Sequence, residues 1–195
     1  MPSSSDNDTV LSVLILAGGA GRRMGGRDKG LINWRGKPLI EHVLARAPNG
    51  AERLISCNRH LDDYAKYGRP IIDAPSEKAE DYPGPLAGIL AGLNHCTGQN
   101  LLLLPCDSPN PPIDLYPRLA RAQPPQGISY AHDGGRDQYL FALISPAAAP
   151  SLANYLAGGA RSVKGWYQQE QAVAVDFSEC PERFVNFNTV ADMDV

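Results

Sequence analysis

The run Ser12-Val13-Leu14-Ile15-Leu16, followed by Ala17-Gly18-Gly19-Ala20-Gly21-Arg22-Arg23-Met24-Gly25-Gly26-Arg27-Asp28-Lys29-Gly30, decides the reading of this chain. Its first part is β-branched and leucine residues without charge, as expected of a buried strand. That strand feeds directly into a loop in which six of the fifteen residues from Leu16 to Gly30 are glycine. Such a loop lets backbone N–H groups approach an anion closely and form a nest for phosphate oxygens. Arg22, Arg23, Arg27, Lys29, Arg35 and Lys37 crowd the same window against the single carboxylate Asp28, in a chain whose net charge is −3. Positive charge concentrated at a glycine loop suits a triphosphate. Two common phosphate patterns fail here. No GxxxxGK[ST] string occurs, and the GxGxxG that begins at Gly19-Ala20-Gly21 has Met24 in place of its third glycine. A P-loop NTPase and an NAD dehydrogenase are therefore poor fits.

Outward from the loop, strands and helices alternate. Pro38 opens a helix with Ile40, Val43, Leu44 and Ala47 on one stripe. Arg53–Ser56 reads as a second strand, Leu61–Tyr67 as a short helix and Pro70–Asp73 as a third strand. Gly84-Pro85 starts a helix striped by Leu86, Ile89, Leu90 and Leu93. Leu101–Leu104 is an unbroken apolar run ending at Pro105-Cys106-Asp107, as expected of a strand covered on both faces. This order predicts an α/β fold with a Rossmann-like, doubly wound, mostly parallel sheet and helices on both faces. Farther on, Gly127–His132, Tyr139–Ser145, Val173–Phe177 and Phe184–Phe187 read as strands and Ala147–Leu156 as a helix.

The chain has 195 residues, 43% hydrophobic and 20% charged, which fits one domain over residues 11–195 after a short disordered tail over 1–10. Its acidic balance argues against a general nucleic-acid binder. The longest apolar stretches, around Val10–Ala20 and Leu101–Leu104, are too short to span a membrane. The N-terminus lacks the basic and apolar regions of a secretory signal, so a cytoplasmic protein is expected. Cys57, Cys96, Cys106 and Cys180 form no CxxC pair and read as buried free thiols.

In a doubly wound sheet of order 3-2-1-4 the first and fourth strands are neighbours, and ligands bind beyond their carboxyl ends. That places Asp107 beside the glycine loop. A carboxylate facing phosphates needs a cation between them, and magnesium is suited to one carboxylate plus phosphate oxygens and waters. Asp107 also fits a helix N-cap before Pro109. Asp73 and Asn58 end strands on the same side, although Asp73 equally fits a turn before Ala74-Pro75. His42, His60, His95 and His132 show no ligand spacing, and no nucleophile–base pair is evident. The suggested chemistry is electrostatic, with cations around phosphates.

With these residues in place the chain resembles the molybdenum cofactor guanylyltransferases, the molybdopterin-guanine dinucleotide biosynthesis protein A family. The resemblance is carried by LAGGxGxRMGGxDKG (Leu16–Gly30), GKPLIEHV (Gly36–Val43), NRH (Asn58–His60), YPGPLAGILAGL (Tyr82–Leu93) and PCDSP (Pro105–Pro109). HDG (His132–Gly134), VDFS (Val175–Ser178) and FVNFNT (Phe184–Thr189) complete it in order. It implies magnesium-dependent transfer of GMP from GTP to molybdenum-molybdopterin, with release of pyrophosphate. It implies that Leu16, Ala17, Gly18, Gly19, Lys29, Asn58, Asp73 and Asp107 bind the nucleotide. Lys29, Arg23 and Asp107 would act on the phosphates, with Asp107 holding the metal. Gly84, Gly88, Arg161, Asn186 and Asn188 would lie toward the acceptor. It also implies transient contacts with cofactor-supplying and cofactor-accepting proteins.

The chain departs from the family pattern at two points. Arg161-Ser162-Val163 stands where Arg-Arg-Val is frequent, and Gln138-Tyr139-Leu140 where a His-Pro-Thr type string is common. Both fall on the acceptor side. Two other functions share many of these features: transfer of another nucleotide, such as CMP to molybdopterin, and nucleotide binding without catalysis. The order Leu-Ala-Gly-Gly and the intact Lys29 and Asp107 favour guanylyl transfer over both.

Overall fold

The computed structural model describes residues 11–18, 28–73, 84–187 and 192. The expected N-terminal tail, Gly19, Arg22, Arg23, Arg27 and Asn188 lie outside the described residues. Strand β1 (Leu11–Leu16) is followed by a two-residue hairpin, β2 (Asn33–Trp34) and β3 (Lys37–Pro38), and by helix α1 (Leu39–Leu44). Then come β4 (Glu52–Ser56), α2 (Leu61–Tyr64), β5 (Arg69–Ile71), α3 (Gly84–His95) and β6 (Asn100–Pro105). Helix α4 (Leu115–Ala122), β7 (Ile128–His132), β8 (Asp137–Ile144), α5 (Ala149–Ala157), α6 (Val163–Gln169) and β9 (Val173–Asp176) complete the order.

Seven of these strands form one sheet in the order β5-β4-β1-β6-β8-β7-β9. The first four are parallel and reproduce the expected 3-2-1-4 winding. Strand β8 runs antiparallel to both of its neighbours, and β9 pairs parallel with β7. The alternation of side chains along β1 divides the core into two layers. Val13 and Ile15 join Ile40 and Val43 of α1 and Leu115 and Leu119 of α4 on one face. Leu14 joins Leu86 and Ile89 of α3, Leu152 of α5 and Trp166 of α6 on the other. All four residues Leu101–Leu104 are buried, which explains why that strand carries no polar alternation.

Two glycines of α3 bring it close to the sheet. A Cβ at Gly92 would overlap the Leu14 side chain, and one at Gly88 would overlap Ser56 Oγ and crowd Leu16. The hairpin turns through Arg35 (φ 48°) and Gly36 (φ 82°), two positive values that suit the right-handed twist of a two-residue connection.

The structure corrects three sequence expectations. Phe184–Phe187 is not a strand. Pro181–Phe184 forms a 3-10 helix with proline in its first turn, and Phe184 and Phe187 are buried three residues apart rather than in alternation. The N-cap alternative for Asp107 also fails, because the next helix starts only at Leu115, after Asp114. The third strand ends at Ile71, which leaves Asp73 two residues beyond it. Helices α4 and α6 were not expected from the sequence.

Candidate active site

The parallel strands deliver four segments to one edge of the sheet. The ladder continues past their formal ends: Ala17 N donates to Ser56 O (2.9 Å), Cys57 N to Ile71 O (3.0 Å) and Cys106 N to Leu16 O (3.2 Å). This stitching fixes the backbone of Leu16-Ala17-Gly18 between the segments that carry Asn58, Asp73 and Asp107.

Asp73 is held by three bonds. Its carboxylate accepts from Ser56 Oγ (2.7 Å) and Asn58 Nδ2 (3.1 Å), and its own N–H donates to Asn58 Oδ1 (3.1 Å). Asn58 and Asp73 therefore clasp each other reciprocally. A Cβ built at Gly18 would stand 3.6 Å from Asp73 Oδ2, so the start of the glycine loop borders this carboxylate. Gly88 lies beneath the same cluster, where its hydrogen leaves room for Ser56 and Asp73. Two of its three nearest neighbours, Leu16 and Asp73, are residues expected to bind the nucleotide, although the sequence placed Gly88 toward the acceptor. No sequence signal marks Ser56, whose hydroxyl points from the end of a strand that otherwise looks like core.

Asp107 occupies the turn after β6. Lys29 Nζ stands 3.1 Å from Asp107 Oδ2, and both side chains are partly exposed. Lys29 opens a 3-10 helix, Lys29–Leu31, where the chain returns from the glycine loop. Behind it, the buried Asp28 accepts a hydrogen bond from Tyr64 Oη. Two buried thiols flank this corner. Burial, aided by the charges of Asp28 and Asp73, pushes Cys57 up to about 12. Burial and the charge of Asp107 likewise raise Cys106. Neither is a nucleophile near neutral pH.

Of the residues expected on the acceptor side, Asn186 lines a second space. A cavity of about 300 Å³ is lined by Pro85, Pro105, Gln138, Tyr139, Val163 and Asn186, among others. Asn186 reaches it because Phe187 N donates to Asp107 O (2.7 Å) and Ser108 Oγ donates to Asn186 Oδ1. The segment bearing Asn186 is thereby fastened to the turn bearing Asp107. Gly84 starts α3 with φ 63°, next to the cavity residue Pro85.

Arg161 behaves differently. Its guanidinium donates to Leu156 O (2.8 Å) in the last turn of α5 and to Ala160 O (2.7 Å) in the loop that follows. Ser162, at the first departure from the family pattern, is the N-cap of α6 and accepts from Gly165 N (3.2 Å). At the second departure, Gln138 Nε2 donates to Asp133 Oδ2 (2.6 Å). Asp133 also accepts from the Gly135 and Arg136 amides. Partial burial opposes its charge, but these bonds outweigh that and hold its carboxyl below the usual range.

A family model described as a MobA-like NTP transferase domain matches residues 13–173. The molybdenum cofactor guanylyltransferase of Mannheimia succiniciproducens is 46% identical over 188 residues, covering 95% of this chain and 97% of that protein. The chain belongs to the molybdenum cofactor guanylyltransferase family. The Vibrio cholerae protein of the same name is 40% identical over 195 residues, covering 99% of this chain and 93% of its own. The fold also matches the crystal structure of molybdopterin-guanine dinucleotide biosynthesis protein A from Archaeoglobus fulgidus. That match has a TM-score of 0.74 at 22% identity, over 94% of this chain and 95% of that one. The Lys29–Asp107 pair and the Asn58–Asp73 clasp each join two residues that the sequence resemblance assigns to the nucleotide. His42 and His95 bond to backbone carbonyls of Trp34 and Ala91, at 2.8 Å each. No helix among the described residues is long and apolar enough to cross a membrane.

Proposed function

We propose that the protein transfers GMP from GTP to molybdopterin carrying molybdenum, forming the guanine dinucleotide cofactor and pyrophosphate. The observation that carries this reading is the meeting of Lys29 with Asp107 just beyond the end of β6, in a chain of this family. An oxygen of the pterin's terminal phosphate attacks the α-phosphorus of GTP. The bond from that phosphorus to the bridging oxygen breaks, and pyrophosphate leaves with the electron pair. The attacking phosphate is already anionic, so no strong general base is required. The barrier lies in bringing two anions together and in the charge left on pyrophosphate.

Lys29 supplies a mobile ammonium against that charge. Arg23, in the same loop sequence, is assigned the same task. Asn58 and Asp73, fixed by their mutual bonds, hold the nucleotide beside the backbone of Leu16, Ala17, Gly18 and Gly19. Asn186, Asn188, Gly84, Gly88 and Arg161 are assigned to the acceptor side. Among the described residues no group of three or more His, Cys, Asp or Glu side chains forms a metal cage. A lone, partly exposed carboxylate fits magnesium, which takes its other ligands from water and phosphate. Asp107 would hold it, and the ion would supply positive charge against the charge that develops on the phosphates. The reading places the enzyme in the cytoplasm, where its four thiols stay reduced, and expects transient transfer partners.

The test is pyrophosphate release with molybdopterin as acceptor, comparing GTP, CTP and ATP with and without magnesium. Release with GTP alone, lost without magnesium, is expected. Release with CTP instead would reassign the base. GTP binding without any release would overturn the catalytic reading.

A further inference from the structure

Asp28 occupies the N-cap position of the 3-10 helix that Lys29 begins, with extended backbone angles (φ −74°, ψ 123°), yet its side chain makes no capping bond. An aspartate there would ordinarily accept from the first free amides of the turn. Its carboxylate instead turns into the core and accepts from Tyr64 Oη. Asp28 is 7% exposed and Tyr64 is 0% exposed. On the other side of Lys29, Gly30 closes on the same hydroxyl: a Cβ there would stand 2.7 Å from Tyr64 Oη. The residues before and after the lysine are thus seated on one phenol. Leu31 N donates to Asp28 O (3.1 Å) and Ile32 N to Lys29 O (3.1 Å), which completes the turn. Lys29, between two inward-facing neighbours, points to Asp107 instead.

We infer that Tyr64 is a positioning residue for Lys29: through its buried hydrogen bond to Asp28 it fixes where the lysine leaves the backbone, and so where the ammonium can reach. The inference rests on the proposed role of Lys29 toward the phosphates. A lysine ammonium rides on a flexible four-carbon stem, so its placement depends on a fixed base. A misplacement of about 1 Å at a reacting centre costs on the order of 10²-fold in rate. Burial raises the Tyr64 hydroxyl well above its ordinary value, so it remains a donor across the working pH range. Tyr64 is itself fully buried, so its effect runs through its neighbours.

The experiment measures kcat and KM for GTP, by single turnover where rates are low, in four variants of the full chain. They are Tyr64→Phe, Lys29→Met, the double variant, and Asp28→Asn. Rates are taken well below each melting transition. Tyr64→Phe should lower kcat about 10-fold, part of the range above, with much less change in KM. In the Lys29→Met background it should lower kcat no further. Asp28→Asn keeps an oxygen that accepts from Tyr64 and should retain most of the activity. If Tyr64→Phe does not fold, Asp28→Ala removes the same bond from the other end and should show the same dependence on Lys29. An equal loss in both backgrounds, or no loss in the parent, would overturn the inference while leaving the Lys29 reading intact. Full kcat in Lys29→Met alone would overturn both.

Discussion

Lys29 Nζ lies 3.1 Å from Asp107 Oδ2 although 78 residues separate the two in the chain. The pairing follows from the winding of the sheet. Strands β1 and β6 are parallel neighbours, with Leu16 opposite Pro105, so Asp107 just beyond β6 lies within reach of Lys29. Removing one such electrostatic group costs about 10²–10³ in rate. Asp107→Ala and Lys29→Ala should each lower kcat by that much in a pyrophosphate-release assay while the proteins stay folded by circular dichroism.

The Asn58–Asp73 clasp should govern nucleotide affinity more than turnover. Asn58→Ala removes a donor to the Asp73 carboxylate and the acceptor of its backbone amide. A hydrogen bond to a charged group contributes about 1.5–3 kcal/mol. The KM for GTP should therefore rise roughly ten-fold or more, with kcat changing less, as measured by initial rates over a range of GTP concentrations.

Gly88→Ala separates packing from helix propensity. Alanine is the better helix former by about 1 kcal/mol, but its Cβ would overlap Ser56 Oγ. Overpacking of this kind costs about 1–3 kcal/mol. The variant should melt at a lower temperature than the parent, and adding Ser56→Ala should restore part of the loss.

Cys57 and Cys106 are buried, and burial raises both thiols, Cys57 to about 12. At pH 8 both should resist a thiol reagent in the folded protein and react at once in denaturant. Cys96 and Cys180, less buried, should react faster, as mass spectrometry of the labelled peptides would report.

Asp133 gives a pH dependence of stability. Its carboxyl is held below the ordinary 3.8 despite partial burial, by bonds from Gln138 and the Arg136 and Gly135 amides. A folded value below the unfolded one means the contribution is complete above the unfolded value. It is lost as pH falls through the folded one. Asp133→Asn should flatten the acid limb of the stability curve below about pH 4, measured by urea unfolding.

Much of this was readable in the sequence because it depends on periodicity and strand ends. The burial of Leu14 and Leu101–Leu104 and the 3-2-1-4 order follow from unbroken apolar runs alternating with helices, and Asp107 was placed by topology. Other features depend on contacts that no local pattern encodes. Ser56 looks like a core serine until Asp73 folds over it. Tyr64 reads as an ordinary apolar helix residue until Asp28 meets its hydroxyl. The Phe184–Phe187 stretch has two aromatic anchors three residues apart, and its Asn186 is placed by Ser108 and Asp107 rather than by a strand. Ser162 reads as a lost cation but serves as the cap of α6.

In the proposed reaction the α-phosphorus of GTP moves to the pterin phosphate in the crevice that holds Lys29 and Asp107. The most direct measurement follows the label from GTP carrying phosphorus-32 at the α position, with molybdopterin as acceptor, in the parent chain and in Asp107→Ala. The label should enter a product containing both guanine and pterin, in step with pyrophosphate release, and Asp107→Ala should suppress both. Label remaining in GTP or appearing as free GMP with no pterin product, or transfer undiminished in Asp107→Ala, would contradict the proposed reaction.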